Sequence, residues 1–197
     1  MELIAECRDI IHVLRMNGPL YALVAYVRTP VGEFVEKLRR DLHPEHPELA
    51  AHVTILPPRP LLGTEEEALQ IIADVCGKVD PFEVTLGDVE SFIPTTPTVF
   101  IRVAHAGYRM RELHDHLNKG ALFTEEQWPY MPHLTIIKLS DASQASKALE
   151  VARQRWADYS GSKRLLIDEV TFVRGGRDLY EWDDLAPIPL GRSFALK

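Results

Sequence analysis

The sequence has 197 residues, of which 46% are hydrophobic and 26% are charged, and its formal net charge is −7. This composition excludes a disordered, collagen-like or coiled-coil protein and is typical of one domain with its own hydrophobic core. The negative charge also argues against a protein that grips long nucleic acid, because such binding depends on many Lys and Arg side chains that neutralise phosphates.

Helices and strands are predicted to alternate along the first half of the chain. Residues 3–14 carry apolar side chains at helical spacing, and residues 20–28 form a mostly apolar run that is typical of a central strand. Thr64 and Glu67 match a capping box, so a helix is expected to begin there. The predicted elements are a helix over 3–14, a strand over 20–28, a helix over 31–42, a strand over 52–56 that ends at Pro57 and Pro58, a helix from Thr64 to about Val79, and a strand over 82–93.

The same order of elements recurs in the second half. The predicted elements there are a strand over 98–104, a helix over 107–119, a loop over 120–132, a strand over 133–139, a helix over 141–159 and a strand over 164–174. His52 and His133 are separated by the same interval as Val89 and Val170, as expected for an internal repeat. We therefore expect one domain over residues 1–197, made of two facing lobes at about 20–95 and 98–175. The additional helix 3–14 would cover a sheet edge or make a dimer contact.

Two matching motifs lie on the short predicted strands of the two lobes. They read HVTI at residues 52–55 and HLTI at residues 133–136. Side chains alternate between the two faces of a strand, so the histidine and threonine of each motif share one face while the apolar residues point into the core. His52 with Thr54, and His133 with Thr135, are therefore expected to line one cleft.

Two imidazoles and two hydroxyls in one cleft suit the chemistry of a phosphoester. One neutral imidazole can accept the proton of an attacking water or hydroxyl, while one imidazolium can protonate the leaving oxygen. Histidine titrates near 6.5, so both forms are available close to neutral pH. Threonine hydroxyls can donate hydrogen bonds to the non-bridging phosphoryl oxygens. No metal ion and no other cofactor is expected.

The repeated H-x-T-hydrophobic motif resembles the signature of the 2H phosphoesterase superfamily, and in particular of its 2'-5' RNA ligase/cyclic phosphodiesterase group. The resemblance covers roughly residues 20–175. It implies an α+β, LigT-like fold of two duplicated lobes, with antiparallel sheets lining a central cleft and helices outside. It also implies that His52 and His133 form the acid/base pair and that Thr54 and Thr135 orient the phosphate.

The activity that the resemblance implies is metal-independent opening of a 2',3'-cyclic phosphate to a 2'-phosphate. The expected partner is a small cyclic-phosphate nucleotide or a short RNA end. Three alternatives stay open: a 2'-5' RNA ligase that acts on RNA ends, a module that binds a phosphorylated nucleotide without turnover, and an α/β protein whose cleft serves partner contact. Alanine in place of either histidine would distinguish them.

Four further residues, Lys138, Tyr130, Arg102 and Arg174, are candidates for substrate binding, and Arg59 is an alternative to Arg174. Members of the group often carry an arginine five residues after the second histidine, where this sequence has Lys138, and an aromatic residue before the second motif, where it has Tyr130. Arg174 or Arg59 could supply the two-pronged contact with phosphate that a lysine lacks. Arg102 shares one face of its predicted strand with Phe100 and could look into the cleft.

The remaining charged side chains and the cysteines indicate no second site. His114 and His116 are two positions apart on a predicted helix and are expected to be solvated rather than metal ligands, as is the helix residue Arg39. Cys7 and Cys76 have no zinc or CxxC spacing, which suits the reducing cytoplasm. No apolar run is long enough to cross a membrane, and the sequence does not indicate an oligomeric state.

Overall fold

Eight β-strands and four α-helices alternate in the computed structural model, which describes residues 18–45, 49–175 and 182–191. The strands are β1 (Leu20–Tyr26), β2 (His52–Arg59), β3 (Phe82–Ser91), β4 (Thr98–His105), β5 (His133–Lys138), β6 (Arg164–Ile167), β7 (Glu169–Gly175) and β8 (Trp182–Pro189). The helices are α1 (Pro30–Leu42), α2 (Glu65–Cys76), α3 (Gly107–Leu117) and α4 (Ala142–Ala157). The α+β class predicted from the sequence is confirmed.

The strands form one antiparallel sheet with the order β6-β3-β4-β5-β2-β1-β7-β8. The two motif strands, β2 and β5, lie at its centre and join at a short pairing between Val53 and Leu134. The third strand of the first half of the chain, β3, pairs with β4 from the second half. In return, β7 from the second half pairs with β1 from the first. The segments 20–95 and 98–175 exchange these strands within the sheet, and the division of the chain into two lobes at these bounds stays a prediction.

The helices pack on one face of the sheet and bury the hydrophobic core there. α1 packs near β5, α3 near β2, and α4 near β3 and β4. Val53, Ile55, Leu134 and Ile136 are almost fully buried on this side, as the alternation of the motifs predicts. The opposite face of β2 and β5 is thereby left for the motif histidines and threonines.

The predicted capping box begins α2. The Thr64 hydroxyl accepts a hydrogen bond of 3.2 Å from the Glu67 backbone, and the Glu67 carboxylate accepts one of 2.9 Å from the Thr64 backbone. Both contacts satisfy backbone N–H groups that the first turn of a helix leaves unpaired. The helix ends at Cys76, short of the predicted end near Val79.

Three strand predictions need correction. β2 continues through Pro57 and Pro58 to Arg59, where it pairs with β1 and no longer with β5, so the missing proline N–H groups interrupt no central ladder. The predicted strand 164–174 divides at Asp168 into β6 and β7, which lie near opposite ends of the sheet. β8 forms in the polar tail where no element was predicted, and it is an edge strand that tolerates prolines.

The predicted helix 3–14 lies outside the described residues. Within the described ranges, no helix has both the length and the apolar character that crossing a bilayer requires.

Candidate active site

The four motif residues lie side by side on the two central strands. They are His52 and Thr54 on β2 and His133 and Thr135 on β5. The antiparallel pairing at Val53 and Leu134 places each histidine opposite the threonine of the other strand, and opposed side chains share one face. The imidazoles are therefore diagonal neighbours on that face, a relation that separates residues of adjacent strands by roughly 7–8 Å. All four side chains line one cleft of about 1440 Å³.

Both imidazoles are held in the same way by the backbone. A ring nitrogen of His52, Nδ1, lies 2.8 Å from the carbonyl oxygen of Ala50, and Nδ1 of His133 lies 2.7 Å from that of Met131. A carbonyl oxygen only accepts, so each Nδ1 must carry the proton. In its neutral form each ring therefore has its lone pair on Nε2, the nitrogen that can take or return a proton.

The motif histidines are half-buried and pack against aromatic rings. Tyr26 meets His52 edge-on at 6.4 Å between ring centroids, and Phe92 meets His133 edge-on at 5.1 Å. Loss of hydration in this setting lowers the pKa of both histidines from the ordinary value of 6.5. The positive charges of Arg39 and of protonated His133 also lower the pKa of His52.

A β-bulge follows the threonine of each motif and changes which face the later residues of the strand occupy. Phe100 lies opposite Thr135 but the preceding Val99 lies opposite Ile137, so β5 contains one extra residue there. Lys138, five residues after His133, would otherwise point away from the cleft, because an odd offset reverses the face. The bulge returns Lys138 to the cleft face, opposite Thr98.

The first motif is followed by an equivalent bulge. Val24 lies opposite Thr54, whereas the preceding Leu23 lies opposite Leu56, so β2 also gains one residue. Pro57 therefore stands where the second half has Lys138, and it lines the cleft as well. The two halves of the cleft match in histidine, threonine and bulge but differ in charge at this position.

Two side chains bind the backbone carbonyls beside the bulges. Arg39 reaches from α1 and donates to the carbonyl oxygens of Ile136 at 2.8 Å and of Thr135 at 3.2 Å. In the other half, the Tyr130 hydroxyl donates to the carbonyl oxygen of Thr54 at 2.7 Å. Arg39 is buried rather than solvated, which corrects the sequence prediction, and burial lowers its pKa. Both side chains fix the backbone that carries a motif threonine.

A buried polar network holds the loop that forms one wall of the cleft. The Arg59 guanidinium, 2% exposed, forms a 2.6 Å ion pair with Glu126, which also accepts a 3.0 Å contact from His114 Nε2. The ring of His114 stacks on Tyr130 with the centroids 4.3 Å apart. The prediction that His114 is solvated is therefore wrong, whereas His116 is exposed as expected. The helical spacing of His114 from Met110 was the signal that places it on the inner face.

The structure separates the four predicted substrate-binding residues. Lys138 and Tyr130 line the cleft. Arg102 lies opposite His133 on β4, but its guanidinium pairs with Glu90 at 3.4 Å outside the cleft lining. Arg174 pairs with Glu65 at 3.0 Å, beside α2 on the helix-covered face, and is not brought to the histidines. The Arg59 guanidinium donates its hydrogen bonds to other groups of the protein, so it offers no pair of free N–H groups to a phosphate.

No group of three or more His, Cys, Asp or Glu side chains is arranged to hold a metal ion within residues 18–45, 49–175 and 182–191.

Comparison with known proteins identifies the family. The model of the 2'-5' RNA ligase superfamily matches residues 27–179. A Bacillus cytotoxicus protein named "Putative phosphoesterase" is 30% identical over 127 residues, which are 62% of this chain and 72% of that protein. A Bacillus cereus protein of the same name is 29% identical over 132 residues, with the same coverage of each chain.

Solved structures share the fold at low sequence identity. E. coli LigT in complex with ATP aligns with a TM-score of 0.56 at 18% identity, covering 87% of this chain and 98% of LigT. A crystal structure titled as a phosphoesterase aligns with a TM-score of 0.59 at 16% identity, covering 88% and 99%. Together with the family match, these findings show that the chain belongs to the 2'-5' RNA ligase superfamily and is an enzyme of the 2H phosphoesterase kind.

Proposed function

We propose that this enzyme opens the 2',3'-cyclic phosphate of a nucleotide or a short RNA end to a 2'-phosphate, using two histidines and no metal ion. The observation that carries the proposal is the matched pair of imidazoles on adjacent strands. Each holds its Nδ1 proton on a backbone carbonyl, so each presents Nε2 as the titrating nitrogen. Diagonal placement allows one ring on either side of a phosphorus atom, as in-line displacement requires.

The proposed reaction needs one neutral ring and one protonated ring. The neutral imidazole removes a proton from water as the water oxygen attacks phosphorus. The bond between phosphorus and O3' breaks, and the imidazolium protonates O3', leaving a free 3'-hydroxyl and a 2'-phosphomonoester. Thr54 and Thr135 donate hydrogen bonds to the non-bridging oxygens, where charge accumulates in the transition state. Proton exchange with solvent restores the starting forms.

A small nucleotide is the substrate class that the cleft and the relatives support. Structures of E. coli LigT are titled as complexes with ATP and with 3'-AMP, and the second aligns with a TM-score of 0.57 at 16% identity over 88% of this chain and 99% of LigT. Within the described ranges, Arg39, Arg59 and Lys138 are the Arg and Lys side chains that line the cleft, and Lys138 is the exposed one. One exposed cation suits one phosphate better than a long polyanion.

Incubation of the purified protein with 2',3'-cyclic AMP in the presence of EDTA tests the proposal. Phosphorus NMR should show conversion to 2'-AMP, and chelation should leave the rate unchanged. Strong inhibition by EDTA, or a 3'-phosphate product, would contradict it. Joining of RNA ends by 2'-5' bonds, measured in parallel on a gel, would instead favour the ligase alternative, in which a 5'-hydroxyl replaces water as the nucleophile between the same two histidines.

The pH dependence of kcat/KM should be bell-shaped with its maximum below pH 6.5. Burial lowers the pKa of both histidines, so the base loses its proton at a lower pH than usual, and the acid also loses its proton at a lower pH. The negative charge of a bound phosphate favours protonation, so the profile of kcat should lie at higher pH than that of kcat/KM. Initial rates at constant ionic strength check both profiles, and a maximum of kcat/KM above pH 6.5 would contradict the prediction.

Lys138→Met should raise KM for the cyclic nucleotide roughly tenfold, because the exposed ammonium contributes a charge-assisted contact to the phosphate. Lys138→Arg keeps the charge and should retain most of the affinity. Lys147→Met removes an exposed charge from α4, outside the cleft lining, and serves as the matched control. Steady-state kinetics distinguish these outcomes, and equal KM values for Lys138→Met and the control would exclude Lys138 from substrate binding.

A further inference from the structure

The pairing between the two motif strands, β2 and β5, is short and has two distinct ends. At one end His52 lies opposite Thr135. At the other end His133 lies opposite Thr54. A short ladder supplies few backbone hydrogen bonds to hold two strands in place. Side chains that bind both strands therefore help to keep the imidazoles at a fixed distance.

Arg39 of α1 bridges the end at which His52 lies. Its guanidinium donates to the carbonyl oxygens of Thr135 at 3.2 Å and of Ile136 at 2.8 Å on β5. It also donates to the carbonyl oxygen of Leu49, three residues before His52. The carbonyl that holds Nδ1 of His52 belongs to the next residue along the chain. One side chain therefore links the backbone ahead of the first motif to the backbone of the second motif.

Tyr130 bridges the opposite end of the pairing without a charge. It lies three residues before His133 and is the equivalent of Leu49 in the other half. Its hydroxyl donates to the carbonyl oxygen of Thr54 at 2.7 Å. Burial raises the pKa of Tyr130, so the phenol stays neutral. The two bridges thus hold equivalent places, but the one beside His52 is cationic and the other is neutral.

The positive charge of Arg39 is buried and unpaired. The residue is 5% exposed, and among the residues that the structure describes no carboxylate forms an ion pair with it. Glu36, one turn earlier on α1, acts on Arg39 from a distance, while its carboxylate accepts the backbone N–H of Ala51 at 2.8 Å. Carbonyl oxygens satisfy the guanidinium N–H groups but leave the net charge. Solvent screens such a buried charge poorly.

We infer that Arg39 is a positioning residue of the active site, which ties the two motif strands together at the His52 end and whose unpaired charge makes the two imidazoles electrostatically unequal. The inference rests on the proposed function and adds to it that His52 is the ring that enters the reaction neutral, while His133 carries the proton. Burial and a backbone carbonyl act on the pKa of both rings, but the charge of Arg39 lowers that of His52 in addition.

Other titratable or charged groups also surround His52. They are Tyr26, which meets the ring edge-on, its partners Asp184 and Arg28, Glu36 of α1, His43 and Glu45 of the cleft lining, and His133 of β5. All of them stay in place when Arg39 alone is replaced. A change in the titration of His52 then measures the effect of the guanidinium charge.

Two-dimensional NMR of the imidazole groups in the substrate-free protein tests the effect of the charge. In the wild-type protein His133 should titrate at higher pH than His52. Arg39→Gln should raise the midpoint of His52 and narrow that difference, whereas Arg39→Lys, which keeps the charge, should leave the midpoint near its wild-type value. Arg40→Gln removes an exposed charge from the same helix and is the matched control. The opposite order of midpoints in the wild-type protein, or equal shifts from Arg39→Gln and Arg40→Gln, would overturn the inference.

Steady-state kinetics test the bridge itself. A lysine cannot reach three carbonyl oxygens as the guanidinium does, so Arg39→Lys should lower kcat for 2',3'-cyclic AMP roughly tenfold to hundredfold, because a misplacement of about 1 Å can cost a factor of that order. KM should change little, since the motif threonines and Lys138 stay in place. Tyr130→Phe removes the neutral bridge and should lower kcat similarly while leaving both imidazole midpoints unchanged. A wild-type kcat in Arg39→Lys would overturn the positioning role.

The titration separates failure of this inference from failure of the proposed reaction, because it needs no turnover. Absence of hydrolysis by the wild-type protein, together with the expected order of midpoints and the expected shift in Arg39→Gln, would overturn the reaction alone. If Arg39→Gln does not fold, the order of midpoints in the wild-type protein and the kinetics of Arg39→Lys still test the inference.

Discussion

Replacing either His52 or His133 by alanine is expected to lower kcat/KM for 2',3'-cyclic AMP by at least ~10², the usual contribution of a positioned acid or base. Both rings occupy equivalent places on paired strands, so each change should be severe. The kcat/KM of the double variant should lie only slightly below that of the less active single variant, because the effects of groups that act in one step are not additive. Initial rates from the purified variants check these values.

His116→Ala is the matched control, since that histidine is exposed on α3 outside the cleft lining. Binding of 2'-AMP by calorimetry should survive in each single variant, because the threonines and Lys138 stay in place. Full turnover after the loss of either motif histidine would eliminate the two-histidine mechanism. Binding without turnover in the wild-type protein would favour the alternative in which the cleft only holds a phosphorylated nucleotide.

Arg59→Met is expected to lower the free energy of unfolding by about 3–5 kcal/mol, the usual cost of breaking a buried ion pair by removing one partner. The change leaves the carboxylate of Glu126 without its guanidinium. It also leaves the Asn118 side-chain oxygen and the Leu122 carbonyl oxygen without the donors that reach them at 2.8 and 3.1 Å. Urea denaturation with an unchanged m value measures the loss.

Lys37→Met provides the comparison, because Lys37 forms a 2.7 Å pair with Asp41 on the exposed surface of α1. That pair should contribute far less to stability, because solvent screens an exposed ion pair. Adding Glu126→Gln to Arg59→Met should recover part of the lost stability, since the carboxylate that lost its guanidinium is then replaced by a neutral amide. Similar losses from Arg59→Met and Lys37→Met would show that the loop does not depend on the buried pair.

The sequence predicted the elements that carry the candidate site, because their signals are local. The H-x-T alternation alone places His52 and Thr54 on one face of a strand, and the capping box at Thr64 marks the start of α2. The interval shared by His52 and His133 indicated an internal repeat. It could not indicate that β2 and β5 pair, which depends on how the whole sheet is ordered.

What escaped prediction depends on contacts between distant parts of the chain. Apolar alternation runs on past Asp168, so it cannot show that β6 pairs with β3 while β7 pairs with β1. The bulge that turns Lys138 toward the cleft becomes visible only through its register with β4. The role of Arg39 likewise depends on backbone carbonyls of residues 135 and 136, nearly a hundred positions away.

The crossing of β3 and β7 between the halves of the sheet makes the two halves interlocked. A fragment that stops before β4 would leave β3 without that neighbour, and β1 without β7. We expect neither this fragment nor the remaining part of the chain to be stable alone. Only the two together should reassemble the sheet. Hinge-like opening of the cleft would part β2 from β5, which join at the short pairing of Val53 with Leu134, so the spacing of the imidazoles depends on that central junction.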